Sequence, residues 1–228
     1  EAAGLEVIAR VDRAPDWARP PGSPVGAAPR ANGDFADFLT TLATRYRGRL
    51  RHFQIWNEPN LAVEWGGAAP DPEAYAALLR VAFLALKSVD DSNTVMAAPM
   101  AGTLEESPRA LNELLYLDRV YDQGAGEWFD VQSANAFGLE HPPDAPPDPD
   151  VLNFRRVELV RELMTGYGLR PKAIWLNEYG WNASPPDMDP GKLVWRRVDE
   201  VQQAAWTVDG VRFGLANWPW VGVFNVWF

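Results

Sequence analysis

The sequence predicts an α/β fold: a parallel sheet of six strands, each but the last followed by a helix. Two observations predict this fold. Short β-branched or apolar runs alternate with longer stretches whose apolar residues recur at helical spacing, the pattern of right-handed β-loop-α units. The connections are also lopsided. Segments after strands are long and rich in Pro and Trp, while helix-to-strand links such as Arg47-Gly48-Arg49 and Gly168-Leu169-Arg170-Pro171 are short. Elaborated loops at the carboxyl ends of strands mark the active face of a TIM-type (β/α) barrel. A doubly wound open sheet is the competing arrangement.

Taken in order, Leu5 to Val11 reads as the first strand, buried and β-branched. After a Pro/Gly/Ala loop containing Trp17, Asp34 is expected to cap a helix with Phe35, Phe38, Leu39, Leu42 and Tyr46 on one face. Leu50 to Asn57 is the second strand. Asp71-Pro72 then supplies the N-cap and first position of a helix striped by Tyr75, Leu78, Leu79, Ala82, Phe83 and Leu86. The third strand is Thr94 to Ala98, the next helix Pro108 to Tyr121, and the fourth strand Phe129 to Ala136. The Pro-rich run 142–149 reads as a stiff surface loop, because strand and helix patterns resume at once on its far side. A helix over Asp150 to Tyr167, a strand over Ala173 to Glu178, a helix over Asp199 to Phe213 and a strand over Val221 to Trp227 complete the chain.

The strands begin about 43 residues apart on average. Eight such units, the number that fills a closed barrel, would need about 340 residues, and the chain has 228. The expectation is therefore one partial barrel domain over residues 1–228, with unpaired sheet edges that call for a covering partner. A homo-oligomer is expected to supply it.

Composition narrows the function. A formal charge of −10 argues against nucleic acid and anionic membranes as partners. With no Cys, disulfide and thiolate chemistry are excluded, and two His make a histidine-based metal site an unpromising idea. No metal and no cofactor is expected, and no run is long enough to span a membrane. The chain begins Glu1-Ala2-Ala3-Gly4 without a signal-peptide pattern, so a soluble protein is expected, either cytoplasmic or secreted with its signal removed.

Chemistry concentrates where two strands end. Gln54-Ile55-Trp56-Asn57-Glu58-Pro59-Asn60 and Ala173-Ile174-Trp175-Leu176-Asn177-Glu178-Tyr179-Gly180-Trp181 each run from apolar strand into Asn-Glu. Either glutamate alone could be a solvated turn residue. Together they suit glycosidic bond hydrolysis with retention, which needs two carboxyl groups roughly 5–5.5 Å apart. Glu178 lies three strands on from Glu58, and a flat sheet would hold them over about 14 Å apart. The pairing therefore requires a curved sheet.

The two motifs resemble those of the large superfamily of retaining glycoside hydrolases with (β/α)8 barrels. Trp56-Asn57-Glu58-Pro59-Asn60 is similar to its strand-4 segment, and Leu176-Asn177-Glu178-Tyr179-Gly180-Trp181 to its strand-7 segment. The resemblance implies that the six strands correspond to strands 3–8, with the first two units lacking. It implies Glu58 as acid/base, Glu178 as nucleophile, Asn57 on the sugar 2-hydroxyl and Trp227 as the platform under the ring. A β-galactoside, glucoside or xyloside would be the substrate. Asn135-Ala136-Phe137-Gly138 stands where the superfamily often has His or Tyr, and the supporting strand-2 arginine is absent, with Arg10 or Arg13 as conceivable substitutes. Asn135, Phe137, Trp181 and Trp17 complete the expected substrate contacts, and His141 is expected to be a solvated loop residue. Two other readings accommodate the departures: a carbohydrate-binding protein that no longer hydrolyses, and a fragment that folds with a partner chain. No phosphate loop, dinucleotide fingerprint or nucleophile elbow is present.

Overall fold

The computed structural model describes residues 4–189 and 196–227. Among them are six strands: β1 (Ile8–Val11), β2 (His52–Ile55), β3 (Thr94–Ala97), β4 (Val131–Phe137), β5 (Ala173–Gly180) and β6 (Val221–Val226). They form one sheet in chain order, and the helices α1 (Asn32–Arg45), α2 (Pro72–Val89), α3 (Glu113–Asp122), α4 (Val157–Gly166) and α5 (Glu200–Asn217) alternate with them. The fold is the α/β class expected, an incomplete parallel (β/α) barrel. No helix among the described residues is long and apolar enough to cross a membrane.

The chain falls into two compact units, Glu1–Ser133 and Ala134–Phe228. In the first, β1 pairs parallel with β2 (Ile8 opposite His52, Val11 opposite Ile55), β2 with β3, and β3 with the start of β4. Phe53, Gln54 and Ile55 are all fully buried, so β2 is covered on both faces, as strands of parallel sheets are. The expected stripe of α2 is the core: Tyr75, Leu78, Leu79, Ala82 and Leu86 are at most 1% exposed. Tyr75 donates from its hydroxyl to Ile55 O (3.1 Å) and accepts from Ala98 N (2.6 Å), tying β2 to the end of β3. Asp71 caps α2 by accepting from Ala74 N, with Pro72 at the first helical position. Asp130 has a structural role, accepting from Val95 N (2.8 Å) and pairing with Lys87 (3.0 Å).

Several expected boundaries move. β1 begins at Ile8, because Leu5 and Val7 are 72% and 56% exposed and pair with nothing in the sheet. α1 starts at Asn32 with Ala31 at the cap, which places Asp34 in the first turn, where its charge suits the helix dipole. Phe38 is 52% exposed, while the α1 face that packs is Phe35, Leu39 and Ala43. α3 starts at Glu113, five residues late. Ala110 and Leu111 are drawn into antiparallel bridges with Leu61 and Glu106, and Asn112 caps the helix by accepting from Leu114 N.

The second unit packs β5, β6, α4 and α5 around an aromatic cluster. Phe154 lies 4.9 Å from Trp218, 5.5 Å from Tyr179 and 5.6 Å from Trp181, centroid to centroid. α4 begins at Val157 because Asp148 and Val151 bridge and Arg156 donates to the carbonyls of Asp148 (2.9 Å) and Pro149 (2.7 Å). The guanidinium thus straps the end of the Pro-rich loop around the Asp148–Val151 turn and delays the helix. Asp199 and Gln202 make a reciprocal capping box at the start of α5.

Candidate active site

At the carboxyl end of β2 the backbone leaves the strand through two non-glycine residues with positive φ, Trp56 at 73° and Glu58 at 43°. Such conformations disfavour side chains and persist only where the surroundings hold them. Here they do. Trp56 is 1% exposed, edge-on to Trp65 at 5.4 Å and Phe35 at 6.4 Å, and its indole N–H donates to Glu64 O (2.9 Å). Its backbone N–H bonds Val11 O of β1 (2.9 Å). Glu58 N donates to Pro99 O just past β3 (3.0 Å), and Glu58 O accepts from Leu61 N (3.0 Å). Asn60 is fully buried and fastens the next turn. Its amide donates to Ala101 O and Leu111 O (2.9 Å each), and its Oδ1 accepts from Ala101 N (2.9 Å).

Between the two strained residues sits Asn57, 6% exposed, whose Oδ1 is buried without a hydrogen-bond partner. A buried acceptor left unpaired costs about 1–3 kcal/mol. The Glu58 side chain beside it is half-buried. Trp17 is 69% exposed on the loop after β1 and lines a cavity of about 130 Å³ with Phe35 and Phe38. Arg10 pairs with Asp12 at 3.1 Å and Arg13 with Glu64 at 3.7 Å.

The second unit holds the other half of the expected residues. Leu176 of β5 lies opposite Phe224, but Tyr179 lies opposite Val226, so β5 carries one residue more than β6 across Asn177–Glu178. This bulge changes the side-chain phase. Strict alternation would give Glu178 the face of Ile174 and Leu176, both fully buried. The extra residue passes that face to Tyr179, which is fully buried and donates to Thr207 O of α5, and leaves Asn177 and Glu178 both half-buried. Bulges of this kind re-aim side chains beside active sites.

Asn177 donates to Asn135 Oδ1 of β4 (3.3 Å), bringing those two amides together next to Glu178. The sequence motif contains Asn177 but assigns it no task; the repeated Asn-Glu pair was the available signal. Phe137, closing β4, is half-buried and lines a small hollow with Leu139, Gly180, Asn182, Arg196 and Trp227. Trp227 is 54% exposed, its backbone N–H bonded to Tyr179 O (2.8 Å). Gly180 (φ 152°) permits this closeness, since a Cβ there would stand 2.4 Å from Trp227 O. A larger hollow of about 590 Å³ adjoins Trp227, Asn182, Ser184 and Gln203.

Trp181 is held more tightly than the other expected contacts. It is 2% exposed, with its indole N–H bonded to His141 O (2.8 Å) and its ring enclosed by Phe154, Tyr179 and Trp206. An indole so enclosed packs the core of its unit, and what remains accessible of Trp181 borders the two hollows beside Trp227. Among the described residues no group of three His, Asp or Glu is placed to hold a metal.

No protein-family model matches the chain, and no curated protein is similar to it in sequence. Solved structures share its fold. A monomeric β-xylosidase from Caulobacter crescentus CB15 superposes with a TM-score of 0.61 at 22% identity, over 89% of this chain and 39% of that one. A glucosidase from Croceicoccus marinus gives 0.68 at 16% identity, over 98% and 43%. A fungal β-1,4-galactanase gives 0.64 at 15% identity, over 99% and 68%. The chain spans about two fifths of the first two enzymes. At these identities the likeness establishes the fold.

Proposed function

We propose that this chain carries the two catalytic carboxylates of a retaining β-glycosidase, with Glu178 as nucleophile and Glu58 as acid/base. Glu178 attacks the anomeric carbon while Glu58 protonates the departing oxygen. Water then hydrolyses the glycosyl-enzyme ester with Glu58 as base, returning both groups to their starting states. Glu58 must enter protonated and Glu178 ionised, so their environments must differ. Asn57 Oδ1 accepts from the sugar 2-hydroxyl, a bond that strengthens in the transition state. Trp227 offers its indole face to the C–H face of the ring. The substrate is a small β-galactoside, glucoside or xyloside.

One observation carries the reading. At both expected catalytic positions the strand abandons regular geometry, by two positive-φ residues around Asn57 and by a bulge at Asn177–Glu178. Backbone irregularity held in place by buried packing is characteristic of functional sites. The named activities of the structural neighbours support the same chemistry. The test is hydrolysis of a panel of aryl β-glycosides. Glu178→Ala should abolish turnover, and Glu58→Ala should lose roughly 10²–10⁴-fold, with partial recovery on substrates whose leaving group needs no proton. Wild-type rates from Glu178→Ala refute the assignment.

Phe137 favours a second reading, a sugar-binding protein without turnover, because a phenyl ring cannot donate a hydrogen bond where the resembling enzymes often have His or Tyr. Calorimetric sugar binding with no product from any aryl glycoside would select it. We also propose self-association through α5, whose Val201, Val208 and Leu215 recur every seven residues at 79%, 49% and 77% exposure. A monodisperse monomer by light scattering at micromolar concentration counts against it.

A further inference from the structure

Opposite the Asn177–Glu178 end of β5, around the amino-terminal ends of β5 and β6, lies a cavity of about 580 Å³. Its walls include Arg161 of α4, Arg170 and Lys172 from the α4–β5 turn, and Trp220 before β6. Three cations around one hollow are unexpected in a chain of net charge −10.

Arg161 is the centre of the arrangement. It donates to Lys172 O (2.8 Å) and Arg170 O (2.6 Å), and its guanidinium lies 5.5 Å from the centroid of the Trp220 ring. Two carbonyls and an indole therefore fix the position of the fork in advance. No carboxylate pairs with Arg161 or Arg170 among the described residues. Glu158, one turn earlier on α4, is engaged by Arg155 (2.8 Å) and by the Trp218 indole (2.9 Å). Burial, and secondly the like charge of Arg170, push the Arg161 guanidinium below its ordinary pKa. Trp220 is itself braced by stacking on Trp218 at 5.3 Å.

We propose that this cavity is a binding site for an oxyanion carried on a flat or apolar ring, such as a phosphate monoester or carboxylate. The oxyanion is held between the Arg161 and Arg170 guanidinium groups, and the ring lies against the part of Trp220 that neither Arg161 nor Trp218 covers. Planar guanidinium donors match phosphate and carboxylate oxygens in pairs. An anion at this position supplies the counter-charge the half-buried Arg161 lacks. The site lies about 16 Å along β5 from Glu178, at roughly 3.3 Å per residue, so it is separate from the proposed glycosidase residues. It stands or falls independently of them.

Calorimetry on the full chain tests it with three probes: phenyl phosphate, inorganic phosphate and benzoate. Phenyl phosphate should bind one to one with a dissociation constant of about 0.1–1 mM, weakening as salt rises. Benzoate binding as well assigns the site to oxyanions generally, and phosphate probes alone binding narrows it to phosphates. Arg170→Gln, at an exposed position, should weaken phenyl phosphate roughly tenfold. Arg161→Lys keeps the charge but loses the fork and should weaken it similarly. Trp220→Ala should weaken phenyl phosphate more than inorganic phosphate, because it removes the ring contact as well as one brace of the Arg161 fork. Arg212→Gln on α5, which does not line the cavity and pairs with Asp209, serves as control. The proposal is overturned if none of the probes binds below 10 mM. It is equally overturned if Arg170→Gln and Arg161→Lys, with native circular dichroism, bind as wild type, or if Arg212→Gln weakens binding as much as they do.

Discussion

Replacing Gly138 by alanine probes the packing that supports the Asn177–Glu178 end of β5. Gly138 follows β4 directly, and its N–H bonds Gly180 O at 3.1 Å. A Cβ added there would stand 1.9 Å from both Cε2 and Nε1 of Trp181, against an ordinary contact from 3.4 Å. The indole would have to retreat by about 1.5 Å, and it has nowhere to go. Phe154 and Tyr179 flank it at 5.6 and 5.7 Å, and α5 stands behind it so closely that a Cβ on Gly210 would lie 3.2 Å from its Cη2. Overpacking of this kind costs about 1–3 kcal/mol, and losing the indole bond to His141 O adds about 1 kcal/mol. A destabilisation near 3 kcal/mol is expected, lowering the urea midpoint by about 1 M or more at the m-value of a chain this size. Gly166→Ala is the matched control. It closes α4 with nothing within 4 Å of its added Cβ, so a change of about 0.5–1 kcal/mol in the stabilising direction is expected. Urea titrations followed by circular dichroism compare the two. A Gly138→Ala midpoint equal to wild type would show that Trp181 is not confined as described.

Asn60→Ala leaves three buried backbone groups without partners, at Ala101 and Leu111. It should destabilise the first unit by about 3 kcal/mol, and a loss under 1 kcal/mol in urea titration would contradict the clamp. Trp227→Ala should raise KM for aryl glycosides roughly five- to tenfold with kcat little changed, because a platform binds ground and transition states alike; a loss confined to kcat would assign Trp227 another role. The Ser92 hydroxyl (2.7 Å) and N–H (3.0 Å), and then Arg47, hold the Asp90 carboxyl below its ordinary pKa. Its stabilisation is present above the ordinary carboxylate range and lost as pH falls through the depressed value. Ser92→Ala should therefore move the Asp90 NMR titration upward, and an unmoved titration would discard this cause.

The alternation of strand and helix, the stripe of α2, the Asp71 cap and the coincidence of Asn-Glu with two strand ends were all legible in the sequence by itself. Each depends on local periodicity or on one residue's own chemistry, and both are written in linear order. Only the tertiary structure decided the rest. The bulge that passes the buried face from Glu178 to Tyr179 arises from pairing with β6, some 45 residues downstream, and no property of β5 alone specifies it. Trp181 looks like an exposed loop-end aromatic in sequence, but Gly138, Phe154 and Trp206 converge on it from distant segments and bury it. The late starts of α3 and α4 likewise come from bridges and an arginine strap that outcompete helix propensity. Burial and register are sums over partners remote in sequence, so periodicity could locate the two carboxylates but not the backbone that presents them.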